Sequence, residues 1–284
     1  MKPSANSNAS QRVAMETVNE RQRAYYDQTN GGSVSALNGV ATNLWRVLRQ
    51  RAAATISEEA RAIPYDIHRK WLGDLSNKTV LDLGCGTGTA LTEHLATTAG
   101  TYHAIDLSEA QVGVLRERFG HLPNTAFIAG DFLSHTFPEG GYDVIYAHSV
   151  LHHFRYMTPL LDRLEEVLAP GGRIITFDPA QAWAPARGFR ALFRPFQTDA
   201  EWEFPFGHAE LDLIEGRFDV SDRIGVYGQA KWAWVLGMIR PAWGKKFGDR
   251  WFRQDFERGY VRTQFRKCLV VSYLLQRRGE EGMA

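Results

Sequence analysis

The stretch Val80-Leu-Asp-Leu-Gly-Cys-Gly-Thr-Gly88 limits what this chain can fold into more than any other segment. An apolar run leads into a glycine-rich turn, and a helix-forming stretch follows. Glycines at such a junction open a tight turn and let the backbone approach a bulky ligand closely. Asp82 places a carboxylate at the strand end, where it would repel a phosphate. That favours a cofactor with a positive or polar tail over a pyrophosphate. A second acidic residue, Asp106, ends the next expected strand about twenty positions on, where a carboxylate can accept from both hydroxyls of a ribose. The spacing G-x-G-x-G departs from the dinucleotide pattern G-x-G-x-x-G, and no Gly-Lys-Ser/Thr follows, so a P-loop is excluded. These residues point to a nucleoside cofactor at the carboxyl edge of a wound sheet.

The rest of the chain fits that reading. Strands are expected at Thr79–Leu83, Tyr102–Asp106, Thr125–Ala129, Tyr142–Ala147 and Arg173–Phe177. Helices fall between them at Ala90–Thr97, Glu109–Phe119 and Thr158–Val167, and Ala169-Pro-Gly-Gly172 turns the chain. Short strands alternating with helices imply a parallel sheet covered on both faces. Ahead of this core (73–179), residues 1–12 read as a disordered tail. Residues 13–72 read as a helical cap, with helices over Val13–Ala24, Leu44–Ala54 and Tyr65–Leu72. Behind the core, residues 180–229 read as a lid loop poor in helix, a short helix at Ala209–Glu215 capped by His208, and a strand at Phe218–Tyr227. A helical insertion is expected over 230–262. The last core strand is expected within 263–278, at Lys267–Leu275.

With these elements in place, the chain resembles the class I S-adenosylmethionine-dependent methyltransferases of the small-molecule type. The resemblance rests on Val80 to Gly88, on Ala104-Ile-Asp-Leu-Ser108, on Gly130-Asp-Phe132, on Tyr142 to Phe154 and on Leu164 to Arg173. It implies a doubly wound, seven-stranded, mostly parallel sheet with a Rossmann-like topology and an antiparallel last strand. It also implies S-adenosyl-L-methionine as cofactor. By that resemblance Asp82, Gly84, Cys85 and Gly86 hold the methionine part, with Cys85 a small packing residue and not a nucleophile. Asp106 and Leu107 hold the ribose, Asp131 and Phe132 flank the adenine, and His148 contacts the cofactor through its backbone. Tyr26, in Tyr25-Tyr-Asp27, closes the pocket from the N-terminal helix.

Methyl transfer to oxygen or nitrogen can require loss of a proton, and histidine has a suitable pKa for taking it. His148, His152 and His153 follow the fourth strand, with His153 the better base candidate. Asp178, after the fifth strand, and His208, beside the lid, are further candidates. No metal is expected: His152 and His153 are adjacent, and no carboxylate stands at ligand spacing to them. The lid aromatics, Trp183, Phe189, Trp202, Phe204 and Phe206 among them, are expected to wall a bulky or apolar substrate.

Between Lys231 and Arg253 aromatic and aliphatic residues interleave with basic ones and a single acidic residue, Asp249. Packing on the domain or on a partner, a dimer surface included, is the leading reading of that segment; a wall for an acidic or long apolar substrate is another, and a membrane-surface contact the minority one. A net charge of +1 gives no reason to expect nucleic acid, and no Asn/Asp-Pro-Pro-aromatic tetrad follows the fourth strand. Two cysteines and the absence of an apolar leader point to the cytoplasm, as a monomer or homodimer. The expected activity is methylation of a small molecule in specialised metabolism, with oxygen slightly ahead of nitrogen or carbon. The alternatives are a non-methylating cyclisation or elimination on the same cofactor, and a non-catalytic partner subunit.

Overall fold

A computed structural model describes residues 18–27, 40–196 and 201–278. The expected tail at 1–12 and the first part of the expected helix at 13–24 lie outside these residues. Seven strands form one sheet in the order β3-β2-β1-β4-β5-β7-β6. They are β1 (Thr79–Leu83), β2 (Thr101–Asp106), β3 (Thr125–Ala129), β4 (Tyr142–His148), β5 (Leu168–Pro179), β6 (Phe218–Val226) and β7 (Val270–Arg277). The first five pair in parallel, and β7 runs antiparallel between β5 and β6. This is the mixed, Rossmann-like sheet of the class I methyltransferase fold.

The order reverses between β1 and β4, and the crevice outside the carboxyl ends of such a pair is where open α/β sheets bind ligands. Alternation along β4 shows how the sheet is covered. Ile145 and Ala147 enter one apolar cluster, and Val144 and Tyr146 enter the other. All four are fully buried, and burying a large apolar side chain contributes about 1.5–3 kcal/mol.

Helix α1 occupies 18–27, so Tyr25, Tyr26 and Asp27 belong to the helix and do not follow it. Next come α2 (Val40–Ala53) and α3 (Glu58–Leu72), the latter longer than expected. Ser57 caps α3 by accepting from the Ala60 N–H at 3.2 Å. The core helices are α4 (Thr92–Thr98), α5 (Glu109–Phe119) and α6 (Met157–Val167). The Ala169–Gly172 turn is absorbed into β5 as a register break, since Tyr142 pairs Leu168 and Val144 pairs Arg173.

The segment after β5 differs from the expectation of a loop poor in helix. Helix α7 runs over Ala184–Phe193. Pro185 stands in its first turn, where the missing N–H costs nothing and the fixed φ favours helix. Helix α8 (His208–Arg217) is not capped by His208, its first residue; the Gly207 N–H donates to Glu210 Oε2 at 2.8 Å.

Before β7 stand α9 (Lys231–Ile239), α10 (Pro241–Glu257) and α11 (Tyr260–Thr263). Asp255 on α10 is fully buried and accepts from the N–H groups of Gln229 and Ala230, which closes the N-terminus of α9. Helices α9 and α10 meet the end of α2 on glycines. A Cβ at Gly237 would stand 2.4 Å from Thr55 Cγ2, one at Gly244 2.6 Å from the Gly237 Cα, and one at Gly248 1.8 Å from the Thr55 carbonyl oxygen.

Candidate active site

The glycine loop is tied down by its own backbone. Gly84 and Cys85 both donate to the Ile105 carbonyl, at 2.8 and 3.2 Å, which fixes the end of β1 against the end of β2. Gly84, Gly86 and Gly88 have φ of 65, 52 and 103°, a region that costs any residue with a Cβ. A Cβ at Gly84 would also stand 2.2 Å from Val150 Cγ2, in the loop after β4.

A cavity of about 210 Å³ opens beside this loop. Of the residues singled out from sequence, Tyr26, Gly84, Gly86, Asp106, Leu107, Asp131, Phe132 and His153 line it. Asp106 has one oxygen on the Gly86 N–H and the other on the Ser108 N–H, both at 3.0 Å. Burial raises its pKa despite these bonds. Asp131 accepts from the Leu133 N–H and, through Oδ2, from Asn19 of α1 at 3.0 Å.

Helix α1 is fastened over the cavity at two further points. Asp27 accepts from the Ser108 hydroxyl at 2.6 Å, and Arg23 Nε donates to the Leu107 carbonyl at 3.1 Å. Asn19, Gln22 and Tyr26 all line the cavity and fall at i, i+3 and i+7. Residues 18–27 are polar nearly all round the helix, so no pattern in the sequence marks Asn19 and Gln22 out. Gln111, Ser149 and Val150 also line the cavity and are equally unmarked.

The other singled-out residues stand elsewhere. Asp82 is 1 % exposed beneath the loop, where Oδ2 accepts from the Tyr102 hydroxyl at 2.7 Å and from Thr92 at 3.5 Å; Oδ1 has no partner. Desolvation raises its pKa to about 7, with these hydrogen bonds opposing. Cys85 is buried, and burial with the nearby carboxylates pushes its thiol far up. His148 faces away from the cavity. Its ring stacks on Phe177 at 4.6 Å, its Nε2 meets the Tyr65 hydroxyl at 3.1 Å, and burial lowers its pKa to about 4. The next residue, Ser149, does line the cavity, with a φ of 56° and its N–H on the Phe177 carbonyl.

His152 and Asp178 pair under the cavity. The His152 backbone N–H and Nδ1 both bond Asp178 Oδ1, at 3.2 and 2.9 Å, while Oδ2 is buried without a partner. The His153 ring lies 4.1 Å from that of His152. His153 Nδ1 stands 3.0 Å from the Trp202 carbonyl, which can only accept, so Nδ1 carries the proton and Nε2 has the lone pair. Burial, and then the neighbouring His152, lowers the His153 pKa to about 3. His208 is near Arg266, 3.4 Å away, and does not line the cavity.

The lid aromatics do not wall the cavity either. The segment 201–207 is strapped to the sheet, with Phe206 N–H on the Pro179 carbonyl and Phe204 N–H on that of His152. This draws Phe206 into the core and leaves Trp202 6 % exposed. The aromatic wall consists instead of Tyr26, Phe132, His153 and Phe154.

Glycines without side-chain bulk, a rim carboxylate, and an apolar slot between Leu107 and Phe132 fit a nucleoside carrying an amino-acid tail. The fold and this cavity define an enzyme that acts with such a cofactor. Residues 81–174 match the family described as a methyltransferase domain. A trans-aconitate 2-methyltransferase of Variovorax paradoxus is 30% identical over 222 residues, 72% of this chain and 82% of that protein. A sterol 24-C-methyltransferase of Gibberella zeae is 31% identical over 96 residues, 33% of this chain, which spans a quarter (25%) of that protein. A solved geranyl diphosphate C-methyltransferase of Streptomyces coelicolor shares the fold, with a TM-score of 0.53 and 14% identity over 76% of each chain. The chain belongs to the class I S-adenosylmethionine-dependent methyltransferases. It is an enzyme that methylates a small molecule with S-adenosyl-L-methionine as cofactor.

Proposed function

We propose that the methyl acceptor is an oxygen, and specifically the carboxylate oxygen of a small organic acid. The observation that carries this is the state of His153. Its Nδ1 donates to the Trp202 carbonyl and burial lowers its pKa, which makes the ring a weak base toward an alcohol or an ammonium. A carboxylate is already ionised and needs no base. The likeness to a trans-aconitate 2-methyltransferase supports the same class of acceptor.

S-adenosylmethionine supplies, when bound, a methyl group on a positively charged sulfur. In this reading Asp106 accepts from the ribose hydroxyls, Asp131 and Phe132 flank the adenine, and Gly84 and Gly86 admit the methionine part. Asp82 acts from below, holding the loop through Tyr102 and Thr92. His153 accepts a hydrogen bond and excludes water, and the Asp178–His152 pair fixes its ring. Bound there, the cofactor would give its methyl group to a carboxylate oxygen held over the glycine loop, leaving S-adenosylhomocysteine and a methyl ester. Most of the rate then comes from placement and desolvation. Helix α1 closes the cavity through Tyr26.

Among the described residues no helix is long and apolar enough to cross a membrane. The two buried, unpaired thiols, Cys85 and Cys268, suit a reducing, cytoplasmic compartment.

Incubation with methyl-labelled cofactor and matched panels of carboxylic acids, phenols and amines tests the acceptor. Label in base-labile esters is expected; label in an amine or on carbon refutes it. His153→Gln keeps a hydrogen-bonding group and should lower kcat by less than about tenfold, whereas a true general base would lose about 10²–10⁴.

A further inference from the structure

One surface of the molecule is neither polar nor balanced in charge. Among the described residues nine large hydrophobic side chains are exposed, and seven of them are Val47, Phe189, Leu192, Trp232, Val235, Ile239 and Trp243. These sit on α2, α7, α9 and the first turn of α10. The helices are in mutual contact: α9 packs on both α2 and α10, and Trp183, which caps α7, meets Trp232 of α9 edge-on at 5.7 Å. On α9 the exposed residues Trp232, Val235 and Ile239 fall at i, i+3 and i+7, one stripe of the helix. Ile239 is 71 % exposed and Leu192 66 %, and exposed apolar residues grouped on neighbouring helices mark an interaction surface.

The charge on the same face is mostly basic. Segments 40–57, 180–196 and 228–248 contain ten Lys or Arg and no Asp or Glu, in a chain whose net charge is only +1. Arg46, Arg51, Arg187, Arg240, Lys245 and Lys246 are exposed. On α7 three arginines, Arg187, Arg190 and Arg194, wall a cavity of about 110 Å³ with Gln181 and a single carboxylate, Glu203. Guanidinium groups so grouped suit the oxygens of a phosphate.

The face is also placed with respect to the site. Pro179, which ends β5, and Val226, which ends β6, both pair with Val270 at the start of β7. Helices α7 and α9 therefore leave the sheet at its carboxyl edge, the edge that carries the glycine loop.

We propose that this face docks on an anionic phospholipid surface. Leu192, Trp232, Val235 and Ile239 enter the headgroup–acyl boundary, and the exposed Arg46, Arg51, Arg187, Arg240, Lys245 and Lys246 meet the lipid phosphates. Apolar burial and charge complementarity then act on one partner. Because α9 is only nine residues long, the contact is peripheral. The assignment does not depend on which atom accepts the methyl group.

The full-length protein is sedimented with vesicles of phosphatidylcholine alone and of phosphatidylcholine mixed equally with phosphatidylglycerol. Binding is expected to the mixed vesicles only, and to weaken as salt is raised. The double variant Leu192→Glu/Ile239→Glu should weaken it by about tenfold or more. The same variant should still bind S-adenosylhomocysteine by calorimetry with the affinity of the parent, which shows that it is folded. Failure to bind the mixed vesicles at low salt overturns the proposal. So does a parent that runs as a dimer while the double variant runs as a monomer, because the face then joins two copies of this chain. Loss of label transfer with intact vesicle binding would bear on the acceptor alone.

Discussion

Replacing Gly84 by alanine tests how tightly the cofactor loop is built against the loop after β4. The new Cβ would stand 2.2 Å from Val150 Cγ2, 2.5 Å from Val150 Cβ and 3.2 Å from Cγ1. The residue would also keep a φ near 65°. The left-handed conformation costs about 1–2 kcal/mol for a residue with a Cβ. Overpacking costs about 1–3 kcal/mol more, for a total of about 3 kcal/mol. The geometry makes a finer forecast. Val150→Ala removes both γ carbons but leaves Cβ in place at 2.5 Å, so it should rescue little. Val150→Gly removes the obstacle. In a double-mutant cycle the Gly84→Ala/Val150→Gly pair should show about 1–2 kcal/mol of favourable coupling, with the backbone cost left over. Urea unfolding at constant m-value reads the stability, and calorimetry with S-adenosylhomocysteine reads the site. If Val150→Ala rescues as well as Val150→Gly, or if Gly84→Ala costs less than about 0.5 kcal/mol, the proposed close approach is not what demands glycine here.

Acid should unfold the protein early. His68, His148 and His153 have pKa values lowered to about 3, 4 and 3 by burial, so each is neutral in the fold and takes a proton in the unfolded chain below pH 6.5. Asp82 works the other way, since it keeps its proton up to about pH 7 when folded and loses it near 3.8 when unfolded. Three protons against one leave a net loss of at most about 3 kcal/mol per pH unit between roughly pH 6 and 4, with raised Asp106 offsetting some of it; urea midpoints across that range check the sign and slope. Asp27→Ala removes the acceptor for the Ser108 hydroxyl and should weaken S-adenosylhomocysteine binding by about three- to tenfold with little change in the urea midpoint, because it frees α1 and not the sheet. Asp255→Ala leaves two N–H groups at the start of α9 without an acceptor and should cost about 2–4 kcal/mol of stability, readable as a fall in Tm, with cofactor affinity unchanged.

The core of the fold was legible because its signals are local. Strands β1 and β3 and helix α5 have the bounds read from apolar runs and turn residues. The carboxylates at the ends of β2 and β3 fall where the glycine loop requires them. Two kinds of information were not local. Pro185 reads as a helix breaker until its place in the first turn of α7 is known. The direction of a side chain just past a strand depends on one residue of register. His148 ends β4 on the face that carries Tyr146 and packs against α3, while His153 returns to the cavity after a short turn. Sequence places three histidines near the cofactor edge and favours His153, which lines the cavity, but it also expects a cofactor contact from His148, which does not line it. It also cannot show that Asp82 lies under the loop, because that depends on Tyr102 reaching across from β2.

The glycine contacts between α2, α9 and α10 bear on how proteins of this kind diverge. Gly237, Gly244 and Gly248 are spaced by seven and four residues, and all three crowd around Thr55, so α9 and α10 approach the N-terminal cap more closely than a side chain at these positions would allow, beside the apolar cluster that holds Ile56, Ala230 and Phe252. Hydrophobic pattern alone would be a poor guide to which relatives carry this same appendage. The spacing of the three glycines, together with a small residue at 55, is a fingerprint that can be searched for. A relative that keeps the methyl-transfer core and loses the fingerprint has, by this account, rebuilt its outer helices and with them whatever its carboxyl edge meets.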